Sequence, residues 1–257
     1  FRARKGSLTQ DAAIDWMLRD RDNPSCVLNV VENARSNARL VRTAITREVW
    51  ESVNESWMVI KEALAKRVSE RDLPQVLTLV RHRAAHVRGA FAGTMLRNDI
   101  YNFARIGTFI ERADATARLL DVKYYVLLPS AQAVGSNLDN VQWETILRSA
   151  SAEGGYRMTF GQDVRPRNIA KFLILDGRMP RSLAFSVGKL GDNFGYLAQD
   201  YGTRLPSHER TDALRQATFG RPIEDIFQSG LHEFIQDFLH TLAGIGAQTE
   251  VDYRFYA

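Results

Sequence analysis

Between Asp99 and Lys123 the chain carries no proline and a single glycine, Gly107. Phe103, Ile106, Ile110, Ala113, Ala117 and Leu120 recur there at steps of three and four. That spacing places apolar side chains on one stripe of an α-helix. So long a helical period leaves no room for a strand in mid-chain, and it predicts one long helix against which the rest must pack. A second line, Glu111, Asp114, Arg118 and Asp121, follows the same steps. Phe109, Ala113, Thr116 and Leu120 flank this line, so partial cover is expected. A covered carboxylate needs a cation or hydrogen-bond donors beside it.

The remaining sequence repeats the helical theme. Thr9 is placed to cap a short helix to about Arg19. Asn23-Pro24-Ser25 reads as a turn, with Ser25 capping a helix to about Thr43 that buries Val27, Val31 and Ala34. Thr46 caps a further helix to about Arg67. Leu73-Pro74 opens another to about Thr94. Pro129, Gly135, Ser136 and Asn137 mark a loop, and a subdivision of the chain is possible near 129–138. Beyond it, helices are expected from Asp139 to Ser151, over Tyr156–Phe160 after a Gly154-Gly155 break, and from Pro166 to Asp176. Others should open at Pro180 and Pro206, and a last long one should run from Ile223 to about Gly244. The tail from Val251 to Tyr256 alternates and is open to an extended reading. With no convincing strand pattern, the expectation is a single all-α bundle of roughly ten helices and no sheet, over residues 1–257.

Composition excludes several classes. One cysteine, Cys26, rules out an intramolecular disulfide and suits a reducing, cytoplasmic compartment. No apolar run approaches the ~18 residues of a membrane span. The net charge of +4 is dominated by arginine, whose flat fork suits carboxylates and phosphates. Four charges over this length do not by themselves argue for nucleic-acid binding, so a nucleic-acid-binding helical module ranks last.

Three constellations stand out. The line through Glu111, Asp114 and Arg118 is either a polar pocket within the bundle, with Glu111 and Asp114 as acid and base, or an ion-pair network that fixes helix register. Asn33, Asn37, Arg35, Arg39 and Arg42 form a donor-rich helix; they suit a peptide or acidic metabolite, or the acids of the central helix, and the second use is preferred. A weak echo links Glu32–Arg39 to Glu111–Arg118. His82 and His86 have a metal-compatible i, i+4 spacing. Their neighbours Arg81, Arg83 and Arg88 repel a cation, so no metal is expected; the same cluster could instead attract an anion such as phosphate or a peptide carboxylate, and no cofactor is expected. Cys26 reads as a small buried residue. Arg178, Pro180, Arg181 and Ser182 form a basic turn that is either an anion seat or a plain N-cap.

The run from Gly107 through Glu111-Arg112 to Tyr124 resembles the signature of the bacterial alpha-E family of all-helical proteins, named for its Glu-Arg motif. The resemblance extends through Asn23-Pro24-Ser25, Glu32–Arg39 and Glu48-Val-Trp50 upstream. Downstream it takes in Trp143–Arg148, Tyr156-Arg157, Phe172–Asp176 and Pro180-Arg-Ser182. It implies an earlier copy of the Glu-Arg helix, so one or two natural helices are expected ahead of Phe1. Alpha-E proteins accompany circularly permuted ATP-grasp ligases and transglutaminase-like proteins. The implied role is an accessory or scaffold component of a system that forms or modifies peptide or amide bonds. Its partner would be such a ligase, transglutaminase-like protein or peptide substrate. The alternative is an enzyme of the same pathway acting on an amide or amino acid. The resemblance makes Glu111, Arg112, Asp114 and Arg118 the first site candidates.

Overall fold

The computed structural model describes residues 9–126 and 137–255. Among them the chain is all-α, with twelve α-helices, one short 3-10 turn and no strand. It divides at Arg97/Asn98 into two compact units. Of the loop expected at Pro129, Gly135, Ser136 and Asn137, Asn137 instead belongs to a helix and the other three lie outside the described residues.

The first unit contains α1 (Gln10–Leu18), α2 (Val27–Leu40), the 3-10 turn Arg42–Ala44, α3 (Arg47–Ala63) and α4 (Leu73–Thr94). Helix α3 packs against both α2 and α4. Leu18, Cys26, Leu28, Ile60 and Leu64 form its core, with Val31, Val76 and Val80 packed around them. Thr9 and Thr46 cap as expected, accepting from Ala12 N at 3.3 Å and Val49 N at 3.4 Å. The cap of α2 is Cys26 rather than Ser25. Asn23 Oδ1 accepts the Ser25 N–H at 3.1 Å, which prolongs the turn by one residue, and Cys26 Sγ receives Asn29 N at 3.4 Å.

The second unit holds α5 (Asp99–Val126), α6 (Asn137–Ser149), α7 (Glu153–Phe160), α8 (Pro166–Leu175), α9 (Leu183–Tyr201), α10 (Pro206–Phe219), α11 (Ile223–Gln228) and α12 (Leu231–Asp252). Helix α5 lies along α9 and α12, and α10 packs on those same two. Ile106, Phe109, Ala113, Ala117 and Leu120 of α5 meet Leu183, Val187, Leu190 and Phe194 of α9 and Ile235, Phe238 and Leu242 of α12. Ala113 and Ala117 are wholly buried.

Glycines in two helices do different things. Gly155 lies inside α7 rather than breaking it, and a Cβ there would stand 3.2 Å from the Phe172 ring. Gly188, Gly191 and Gly195 of α9 have open space where a Cβ would point. Helix α9 is therefore held by its leucines, Val187 and Phe194, not by intrinsic propensity.

Two sequence expectations are corrected at the C-terminal end. The last helix is interrupted at Ser229-Gly230, where Gly230 takes φ 93°, so α11 and α12 are separate. The alternating tail is not extended: α12 continues to Asp252. It closes in a Schellman turn, with Phe255 N donating to Glu250 O at 3.0 Å and Arg254 N to Val251 O at 3.3 Å.

Candidate functional site

The site grows from the middle of α5. Its apolar stripe fixes the helix roll, and that roll decides where each charged residue goes. Glu111 is exposed and has no partner among the described residues. Asp114 and Arg118 pair along the helix with both forks engaged, at 2.7 and 3.0 Å. The Asp114 carboxylate raises the Arg118 pKa through that hydrogen bond and its charge. Both groups face solvent, so the pair is worth a few tenths of a kcal/mol at most. Asp121, just under one turn beyond Arg118, is partly covered. Its oxygens contact His232 Nδ1 at 2.6 Å and accept from Gln236 Nε2 at 2.9 Å, both on α12.

The expectation of a charged seam inside the bundle is therefore corrected. Phe109, Ala113 and Thr116 turn inward, and Glu111, Asp114 and Arg118 are carried to the surface of α5. Of that line, Asp121 alone meets another helix among the described residues.

Arg112 differs from its neighbours. Its guanidinium lies 5.2 Å from the centre of the buried Phe109 ring, and Nη1 donates to Pro180 O at 3.2 Å. One turn on, the buried Thr116 hydroxyl donates to Arg181 O at 2.8 Å. Two side chains of α5 thus grip consecutive carbonyls of the turn before α9. The turn also braces itself. Ser182 Oγ donates to Asp176 O at 2.6 Å and accepts from Phe185 N at 3.0 Å, which makes it the N-cap of α9. Asp176 takes a two-point contact from Arg178, at 3.2 and 2.9 Å. That hydrogen bond, and less so the backbone N–H groups of Arg178 and Met179, hold the Asp176 pKa below the ordinary value against burial. The result is a fixed turn that presents Arg178 and Arg181 to solvent.

The other candidates lie in the first unit. Asn33, Asn37 and Arg39 are exposed on α2. Arg35 is half-buried: Nε donates to Asn54 Oδ1 at 2.7 Å, and its guanidinium sits 4.3 Å from the Trp57 ring centre. His82 and His86 are exposed on α4. No group of three metal-ligating side chains converges among the described residues, and no helix there is long and apolar enough to cross a membrane.

The grip of Arg112 and Thr116 on residues 180–181, and the Asp121–His232 contact, join positions far apart in the chain. No local pattern in the sequence signals either.

Fold and site together define an all-α protein built on a Glu-Arg helix that pins a basic turn. The chain belongs to the Alpha-E family, described as an alpha-helical domain with a conserved ER motif, which it matches over residues 1–253. No curated protein and no solved structure matches it.

Proposed function

We propose that this protein is an accessory binding component of a system that forms or modifies peptide or amide bonds. Its recognition surface would be the charged face around Glu111, Arg178 and Arg181. The observation that carries the reading is the division of labour within the Glu-Arg pair. Arg112 holds the turn, while Glu111 stays exposed beside it with no partner among the described residues. A surface of fixed charges suits docking, where complementary charge sets specificity and encounter rate. The partner proposed is a circularly permuted ATP-grasp ligase or a transglutaminase-like protein, as the family resemblance implies.

An enzyme that uses Glu111 and Asp114 as acid and base is the weaker reading, because Asp114 is already committed to Arg118. The test is co-expression of the full chain with the ligase, followed by affinity purification. The wild type should retain the ligase, and Glu111→Arg or Arg181→Glu should release it, more so at higher salt. Equal retention by both variants, or none by the wild type, sinks the proposal.

A further inference from the structure

A second feature of the second unit lies where α5 begins and α9 and α12 end. Phe103, Tyr201, Asp252, Tyr253, Arg254 and Phe255 line a cleft of about 420 Å³, within the usual range for small-molecule sites, roughly 300–1,000 Å³. The rings stand as walls. Phe103 meets Tyr253 edge-on at 4.7 Å and Phe255 at 4.9 Å, and Tyr201 meets Tyr253 at 5.7 Å. Tyr201 and Phe255 keep 51% and 55% of their surface in solvent, so these rings are displayed rather than buried.

Hydrogen bonds below the cleft hold the walls in place. The Tyr253 hydroxyl is 2.8 Å from Nε2 of the buried His208, and the Tyr201 hydroxyl donates to Asp99 at 2.9 Å. Asp252 accepts from Ser207 N at 2.7 Å and Gln248 Nε2 at 2.8 Å. A carboxylate has about four lone-pair sites, so Asp252 can still receive a further donor.

Arg254 is the unusual residue. It occupies the left-handed position of the Schellman turn, at φ 56°, where glycine is the natural choice. The Schellman hydrogen bonds of its own N–H and that of Phe255 hold the backbone there, while its side chain has no partner among the described residues. A non-glycine residue held in this conformation at the edge of a cleft points to a role outside the fold.

We propose that the cleft binds an apolar or aromatic α-amino acid in its zwitterionic form. The ligand's side chain would lie among the rings, its ammonium on Asp252 and its carboxylate on Arg254. One acid and one base flanking aromatic walls match that charge pattern. A simple anion would meet Asp252, and a simple cation would meet Arg254. The proposal stands independently of the docking surface around Glu111.

The test is isothermal titration of the full chain with L-phenylalanine. Binding should be detected, and N-acetyl-L-phenylalanine and L-phenylalanine amide, each lacking one charge, should bind at least about tenfold more weakly. Arg254→Gly should also weaken L-phenylalanine at least about tenfold without lowering the melting temperature, because glycine relieves the left-handed strain. Three results would overturn the proposal: no binding of L-phenylalanine, L-leucine or L-tryptophan at about 10 mM, blocked derivatives that bind as well as the free amino acid, or Arg254→Gly binding like the wild type. If Arg254→Gly lowers the melting temperature, the blocked derivatives on the wild-type protein decide alone.

Discussion

The grip of α5 on the turn before α9 can be broken without opening a cavity. Thr116→Val keeps the side-chain shape but removes the donor to Arg181 O, and Arg112→Met keeps an apolar stem over Phe109 but removes the donor to Pro180 O. A buried carbonyl left without its donor costs about 1–3 kcal/mol. The Thr116–Arg181 hydrogen bond is only part-buried, so the lower end, about 1 kcal/mol, applies to Thr116→Val. Arg112 is a charged donor, but it is partly solvated, so about 1 kcal/mol is again appropriate. The double variant should therefore loosen the turn by roughly 2 kcal/mol, near the upper end of a 5- to 30-fold rise in the open fraction. Trypsin reads this directly, because Arg178 and Arg181 are exposed cleavage sites within the turn. When reclosing outpaces cleavage, the nicking rate follows the open population. Nicking after these two arginines should rise in each single variant and most in the double. Nicking after Arg21, in the first unit, should stay constant. An unchanged rate in a folded double variant would mean that Asp176 and Ser182 hold the turn alone, and the anchoring role of Arg112 would be wrong.

Other outcomes follow from the same geometry. Glu111→Gln should shift the urea midpoint by less than about 0.5 kcal/mol equivalent, as exposed sites do; a loss of several kcal/mol would mean that the residue is buried. His208 is buried, packs at a tilt 5.0 Å from the Phe194 ring and has no partner for Nδ1 among the described residues, and burial, with Arg204 second, lowers its pKa from 6.5. Its neutral form is the one the fold accepts. This stabilising contribution is complete above 6.5 and is lost as pH falls from there through the lowered folded value. Urea midpoints at about pH 7.5 and 5.5 should differ in the wild type and differ less in His208→Phe. Gly191→Ala should raise stability by up to about 1 kcal/mol, because a Cβ there meets nothing; a lower melting temperature would show a contact that the geometry lacks.

Local rules carried much of the fold. The apolar period of α5 placed Ile106, Ala113, Ala117 and Leu120 in the core, where all four are buried. Thr9 and Thr46 capped as their chemistry requires. The errors also have local causes. Asn23 lengthened a turn and moved a cap from Ser25 to Cys26. Gly155 read as punctuation but serves the Phe172 ring. Alternation in the tail competed with the simpler option of continuing a helix to a Schellman turn. The site was harder to read. The period showed that Glu111 and Arg112 sit on one helix, but it could not show that Arg112 reaches Pro180 or that Asp121 reaches His232. Those pairings are set by how α5, α9 and α12 dock, and side-chain packing fixes that docking rather than sequence spacing.

The bare glycine positions of α9 also bear on the order in which the second unit folds. Three helical glycines lower the intrinsic stability of that segment by roughly 2–3 kcal/mol relative to alanine, so α9 has little helix of its own to offer a folding nucleus. It becomes helical by docking its leucines and Phe194 on a surface that must already exist. Helix α5, with one glycine and the buried alanines, is the element able to supply that surface early. On this view α9 is added late in folding, and stabilising it at Gly188, Gly191 or Gly195 slows unfolding while leaving the folding rate almost unchanged.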